Sequence, residues 1–522
     1  MSDKSPSPER ASARRAPEER ARKDVGQIRD HDITTDLKAR FAAQRAAFKA
    51  EPWPTLAVRR SRLDRLLALT RDHEAAIVAA IDADFGGRSA HETRLAELFV
   101  VSAAISHARS HLRRWTRTRR VATAPHFWPA RNRLMPQPLG VVGVVSPWNY
   151  PFQLAIGPTV PALAAGNRVL IKPSDLTPHF SDLLAGLIAG LFDPEELHVV
   201  VGDLDVAKAF TTLPFDHLFF TGSTSVGLQV ALSAAANLTP VTLELGGKTP
   251  AIIDPSADLG RSTRRIAFGK LLNAGQTCVA PDYLLVPRGR TAAVVDHLAA
   301  AVRAFYPTLQ ANPDYTAIIS PAHRARLTAL LDDARAQGAR IVELAPAGEG
   351  VDGGKMPPTL VLEVKPTMRV MQEEIFGPLL PIVEYQGIDA AIAHVTAGER
   401  PLALYWFGEN AERRQRIMRE THAGGVTVND CLWHLAQEGQ PFGGVGASGH
   451  GAYHGEWGFR TFSHDKPILH QARHAGTAMF HPPYGKRFDR LLQVLRRLTD
   501  CRAPNSACSR RSHLFNPSHP FR

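Results

Sequence analysis

The spacing of apolar residues divides the chain into stretches of different character. Over residues 34–120, as in LAVRRSRLDRLLALTRDHEAAIVAAIDADF, apolar side chains recur every three or four positions. That is the period of helices with one buried face. From residue 139 the rhythm changes. LGVVGVVS, NRVLIKPS, LHVVVGD and DHLFFTGS are short continuous apolar runs, and the helix candidates FQLAIGPTVPALAAG, SDLLAGLIAGLF and VAKAFTTL lie between them. Such runs suit strands buried on both faces. Their alternation with helices predicts right-handed βαβ units around a parallel sheet of the dinucleotide-binding type. After PVTLELGGKTPAIIDP a second series begins. It comprises a helix over 257–272, the strand YLLVP, helices TAAVVDHLAAAVRAF and AHRARLTALLDDARAQG, and strands ARIVEL and LPIVEY. The expected class is α/β, with two sheet-based domains.

The ends differ. Residues 1–33 are rich in Ser, Pro, Arg and Glu, and the last two dozen residues are polar, proline-bearing and aperiodic. Both are expected to be disordered. The longest apolar run, LLAGLIAGLF, is about half of what a membrane span needs, and the first residues lack the apolar core of a secretory signal. Four cysteines, at 278, 431, 501 and 508, form no C-x-x-C pair and suit a reducing compartment. These features predict a cytoplasmic protein that uses no membrane.

Charge changes the picture only locally. The net charge is +12, but residues 101–135 hold eight arginines and no acid, and residues 473–522 hold ten Lys/Arg against two Asp. The excess therefore sits in two patches, read as solvated faces and a loose tail. Without an RRM, helix-turn-helix or zinc-finger signature, no nucleic-acid partner is expected. Histidines pair at i, i+4 (His107/His111, His450/His454, His470/His474) without the glutamate of a zinc-protease motif. No metal site is expected.

Four short stretches can carry chemistry. Cys278 lies in LLNAGQTCVAPDY, between a helix end and what reads as the start of a new segment. A thiol at a helix N-terminus has its pKa lowered towards reactivity, whereas a buried cysteine is merely a small hydrophobe. Glu244, in VTLELGGKTP, ends a strand, where α/β sheets keep their sites and a carboxylate can serve as a base. Asn149, in SPWNYPF, offers an amide to an oxyanion from a proline-bracketed turn. In FFTGSTSVG, Gly222 and Ser223 stand between a strand and a helix start, where backbone N–H groups can meet a pyrophosphate. Each also has an ordinary structural use.

Their joint order is more specific. SPWNYPF, AGNRVLIKPSDLTP, FFTGSTSVG, VTLELGGKTP, NAGQTC, QEEIFGPLLP and PFGGVGASGHGAYHGEWGFRTFSH occur in the order and spacing of the aldehyde dehydrogenase superfamily, over roughly residues 40–490. The chain resembles that family. Within it, NAGQTCVAPDY, GAYHG and TFSH resemble the class 3 branch, and FDHLFFTGST and ANLTPVTLELGGK are most similar to bacterial coniferyl-aldehyde dehydrogenases.

The resemblance implies a Rossmann-type cofactor domain (34–118 and 142–243), an α/β catalytic domain (244–428) and a bridging or oligomerisation ribbon (119–141 and 429–475). A C-terminal extension (476–522) would follow. It implies oxidation of a small-molecule aldehyde to the acid with NAD, or NADP, through a thiohemiacetal and a thioester on Cys278. Asn149 would hold the oxyanion and Glu244 would activate water. Lys172 and Asp175 would meet the adenosine ribose, and Gly222 and Ser223 the pyrophosphate. Trp148, Glu374 and Phe376 would surround the nicotinamide end. Asp175, where the family often has Glu, favours NAD, because a carboxylate repels a 2′-phosphate. The substrate suggested is coniferaldehyde or a similar aromatic aldehyde, with a medium- or long-chain aliphatic aldehyde as the alternative. Trp148, Tyr150, Trp433 and His434 are candidate pocket walls. Cys431, after VTVND, occupies a place expected to hold a small polar residue and adds a second thiol near the pocket floor. A homodimer, or else a tetramer, is the implied assembly.

Overall fold

The computed structural model describes residues 35–346, 349 and 354–500. The tails expected at 1–33 and beyond 500 lie outside the described residues. Two units separate, Met1–Thr116 with Pro136–His464, and Arg117–Met135 with Asp465–Arg522.

In the larger unit, helices come first, at 35–50, Leu56–Asp72, Glu74–Phe85 and Val100–Trp115. The apolar period set their buried faces, so that Leu63, Leu66, Ile77, Ile81, Ile105 and Leu112 enter the core. Strands Val141–Val145, Arg168–Lys172, Leu197–Val199, His217–Thr221 and Val241–Glu244 then build a parallel sheet, in the spatial order 241–217–141–168–197. Its centre is apolar on both faces, as the continuous runs required. Arg168 and Lys172 end one strand without leaving it exposed: Arg168 donates to Glu51 at 3.2 Å, and Lys172 to the carbonyls of Pro173 and Gly202 at 2.7 and 2.8 Å.

The second sheet has seven strands in the order Arg340–Glu343, Thr359–Leu362, Leu379–Tyr385, Tyr283–Pro287, Pro250–Ile253, Ala403–Phe407, Gly425–Val428. Only the first pair is antiparallel. Sequence reasoning did not assign four of these strands (250–253, 359–362, 403–407 and 425–428), because short apolar runs between turns do not declare their type. It also missed Gly449–His450, which pairs antiparallel with Val241–Glu244 and puts Gly449 opposite Glu244. Gly449 has φ 121°, and a Cβ there would run into the Leu243 carbonyl, so only glycine lets this strand approach.

The smaller unit contains most of a three-stranded sheet of Arg119–Val121, Arg131–Pro138 and Ser463–His470, and the helix Lys486–Asp500. Part of the arginine cluster is neutralised on the spot, by Arg109–Asp64, Arg114–Glu456 and Arg119–Asp465 ion pairs of 2.5, 2.7 and 2.9 Å. No helix among the described residues is long and apolar enough to cross a membrane.

Candidate active site

A cavity of about 610 Å³ in the larger unit is lined by Trp148, Asn149, Gly222, Ser223, Glu244, Cys278, Glu374 and Phe376, among others. Eight of the ten residues expected to act in catalysis or cofactor binding thus line one cavity. Lys172 and Asp175 do not line it. They stand at the carboxyl end of the strand Arg168–Lys172, with Lys172 buried on its two carbonyls and Asp175 exposed.

Local structure explains each placement. The chain leaves the strand Val141–Val145, turns through Pro147–Asn149 and enters the helix Pro151–Ala165. Asn149 is 2% exposed and donates from its amide nitrogen to the Gln276 carbonyl at 3.1 Å. That nitrogen carries two hydrogens, so one remains for a ligand. Glu244 ends its strand with 2% exposure, and neither carboxylate oxygen has a hydrogen-bond partner in the structure. Burial alone pushes its pKa well above the usual carboxylate range. Ser223 caps the helix Thr224–Ala235 by accepting the Val226 N–H, and Thr224 and Ser225 of its first turn line the cavity.

Cys278 departs from expectation. It sits in a turn, closed by the Ala280 N–H on the Thr277 carbonyl at 3.0 Å, and no helix starts there. Burial, then the negative charges of Glu374 and Glu244, push the thiol pKa up, against a smaller downward pull from the backbone N–H groups of Cys278 and Val279. The lowered pKa expected from a helix N-terminus is therefore absent. The turn follows a tight bend in which Asn273 and Ala274 adopt φ 54° and 50°.

The backbone of the segment that carries Glu374 is held by three side chains. Lys248 donates to the carbonyls of Val370 and Glu373 at 2.7 and 3.0 Å and pairs with Asp282. Asp282 accepts the Ile375 N–H at 2.8 Å, and Arg326 donates to the Glu374 carbonyl at 3.2 Å. Desolvation, with Asp282 adding to it, raises the Glu374 pKa to about 8. Phe376 stands edge-on to Trp148, with centroids 5.4 Å apart.

A second cavity, of about 100 Å³, also reaches Cys278 and is walled mainly by apolar side chains including Phe99, Phe268, Leu435 and Phe442. Cys278 and Leu154 line both cavities. Cys278 therefore borders both a large cavity, the more polar of the two, and a small apolar one.

The aldehyde dehydrogenase family profile matches residues 13–468. A probable coniferyl aldehyde dehydrogenase of Pseudomonas aeruginosa is 50% identical over 459 residues, 88% of this chain and 96% of that protein. The coniferyl aldehyde dehydrogenase of a Pseudomonas species is 47% identical over 445 residues, covering 84% and 92%. Among solved structures, the substrate-bound state of Staphylococcus aureus AldH superimposes with a TM-score of 0.83 at 38% identity, covering 88% of this chain and 99% of that one. The chain belongs to the aldehyde dehydrogenase family. It is an NAD(P)-dependent enzyme that oxidises aldehydes.

Within this aldehyde dehydrogenase the donor set fits a dinucleotide. The large cavity offers a helix N-terminus of the kind that binds phosphate, a carboxylate at Glu374, and unpartnered buried oxygens on Thr221 and Glu244. The pocket-wall expectations need correction. Tyr150 and Trp433 line the apolar cavity, but Trp148 belongs to the polar one, and His434 lies behind the wall against Phe442, bonded to Thr427 at 2.8 Å. Cys431 is fully buried, lines neither cavity and packs against Gly269, so it supplies no second thiol to the site. Sequence reasoning missed His454. It lines the apolar cavity, its Nδ1 is sealed without a partner, and burial lowers its pKa to about 4, so it is neutral. In the sequence it showed only as part of the GAYHG stretch and of the His450/His454 pair, neither of which marks a cavity wall.

Proposed function

We propose that the enzyme oxidises coniferaldehyde or a similar aromatic aldehyde to the acid, with Cys278 as nucleophile, Asn149 as oxyanion donor and Glu244 as base. The observation that carries this reading is Cys278 standing where the two cavities meet. The aldehyde enters by the apolar side, and Cys278, as its thiolate, adds to the carbonyl carbon to give the oxyanion of a thiohemiacetal. The free hydrogen of the Asn149 amide and the Cys278 N–H stabilise the oxyanion. Bound in the polar cavity, a nicotinamide cofactor supplies the hydride acceptor and a positive ring that favours the thiolate. Loss of hydride leaves a thioester on Cys278. Glu244 takes a proton from water, which attacks the thioester, and the acid departs.

For the cofactor, Gly222, Ser223 and the following helix start take the pyrophosphate, and Glu374 the nicotinamide ribose. Trp148 and Phe376 pack beside that end. Lys172 and Asp175, at the end of the neighbouring strand, are assigned to the adenosine ribose. Solved relatives are described as an NADP-dependent enzyme of E. coli and an NAD-dependent aldehyde dehydrogenase of Sinorhizobium meliloti. The exposed Asp175 carboxylate favours NAD here. Aromatic substrates are supported by the names of the two Pseudomonas relatives and by the Tyr150, Phe268, Trp433 and Phe442 walls. We assign the protein to the cytoplasm. We assign the sheet of the smaller unit, with Leu469 exposed on it and Trp128 exposed in the loop before Arg131, to homodimer contact.

Two measurements test this. A panel of coniferaldehyde and medium- and long-chain alkanals with each cofactor, followed as NAD(P)H, should give the highest kcat/KM for coniferaldehyde with NAD. A higher value for an alkanal overturns the substrate, and one for NADP overturns the cofactor preference. Gly246→Ala should raise KM for NAD by about tenfold or more, because a Cβ there collides with the Glu374 carboxylate. The alkylation rate of Cys278 should stay unchanged. An unaltered KM would remove Glu374 from the cofactor site.

A further inference from the structure

Asn149 does its proposed work only if its amide is aimed. Its loop is short, and the residue that opens the next helix, Tyr150, makes no side-chain cap. The first N–H groups of that helix would be left unpaired inside the protein, a costly arrangement. The partner comes from far away in sequence. Glu97, fully buried on a single stretch of π-helix, Arg94–Phe99, accepts the N–H groups of Phe152 and Gln153 at 2.7 and 3.3 Å. Its charge also suits the positive end of the helix.

Behind Glu97 stands Arg88, also fully buried, 3.2 Å from the Glu97 carboxylate. Arg88 donates to the backbone carbonyl of Asn149 at 2.7 Å and lies over the Tyr150 ring, 4.9 Å from its centroid. The cysteine loop is held from the same segment. Glu92 accepts the Asn273 N–H at 3.0 Å, and the Asn273 side chain donates to the Asn149 and Gln276 carbonyls at 2.9 and 3.2 Å. The stretch 88–97 thus grips the loop of the oxyanion donor and the loop that leads to the nucleophile.

We propose that Arg88, backed by Glu97, is a positioning residue for the oxyanion step: it fixes the Asn149 loop against the Cys278 turn without touching substrate. The π-helix has a reason in this arrangement. Its wider turn sends Glu97 inward while Leu95, Ala96 and Phe99 remain on the wall of the apolar cavity. The proposal rests on the assignment of Asn149 as oxyanion donor.

The test is a double-mutant cycle between Arg88→Lys and Asn149→Ala, read as the single-turnover rate of NADH formation with excess enzyme and NAD. Asn149→Ala alone should slow that rate by about 100- to 1000-fold. Arg88→Lys alone should slow it by about 10- to 100-fold, since a misplacement of about 1 Å costs that much. On the Asn149→Ala background, Arg88→Lys should cost less than about threefold, because the group it aims is gone. A merely structural loss would instead multiply. Glu97→Gln, which keeps one acceptor oxygen, runs the same cycle should Arg88→Lys fail to fold. Multiplicative losses, or a wild-type rate in Arg88→Lys, overturn the positioning role alone. A wild-type rate in Asn149→Ala overturns the oxyanion assignment, and the positioning role with it.

Discussion

Cys278→Ser yields a folded protein that binds NAD but forms no detectable NADH from any aldehyde. As the proposed nucleophile, the thiol turns a carbonyl, whose only leaving group is hydride, into a tetrahedral adduct able to expel it. A serine hydroxyl in the same turn has a far higher pKa, and the burial that already opposes a thiolate opposes an alkoxide as well. The loss in kcat should exceed about three orders of magnitude. Stability should hardly change, because the substitution swaps one small side chain for another at a partly exposed position. Far-UV circular dichroism and NAD binding establish that the variant is intact, and NADH absorbance gives the rate. Turnover within tenfold of wild type would remove the covalent mechanism.

Glu244→Gln separates the two halves of the reaction. Hydride leaves before the base acts on water, so the variant should release about one equivalent of NADH per site at nearly the wild-type rate. Steady turnover should then fall by about 100- to 10,000-fold, the usual contribution of a general base. The acyl-enzyme should accumulate and be visible by intact-protein mass spectrometry. A pH profile gives a second check. Burial holds the Glu244 pKa well above the ordinary carboxylate value, so the useful carboxylate forms at higher pH than it would on an exposed glutamate. Where deacylation limits turnover, kcat should rise with pH as that carboxylate forms, and the rise should vanish in Glu244→Gln. Normal steady-state turnover in the variant would assign the base elsewhere.

Much of this site was legible before any fold existed, and the reason is local. Glu244 ends a strand because VTLE is a buried-strand run stopped by two glycines, and Ser223 caps a helix because a hydroxyl before a helical run satisfies its first N–H groups. The helix Thr291–Phe305 coincides with the segment read from its apolar period. Strand 403–407 was illegible for the opposite reason: it is buried in full, so no alternation marks it. Gly449–His450 is too short to show a period, and pairs with Glu244 from some 200 residues away.

The electrostatic state of the thiol was misread because a helix start was assumed where the chain makes only a turn. No neighbour in sequence reveals that Glu244 and Glu374 share the cavity with Cys278. Nor does Arg88 or Glu97 look remarkable in a run of helical, charged residues. Their importance comes from burial against a loop 50 to 60 positions away.

By itself, the sequence determined the types and order of the reactive groups and the elements that carry them. It also determined the family, because periodicity, caps and motifs are written in neighbouring residues. Only the tertiary structure decided which of those groups face one another, which oxygens lack partners and which way each pKa moves. Those properties depend on distance and desolvation between segments remote in the chain, and spacing along the sequence carries neither.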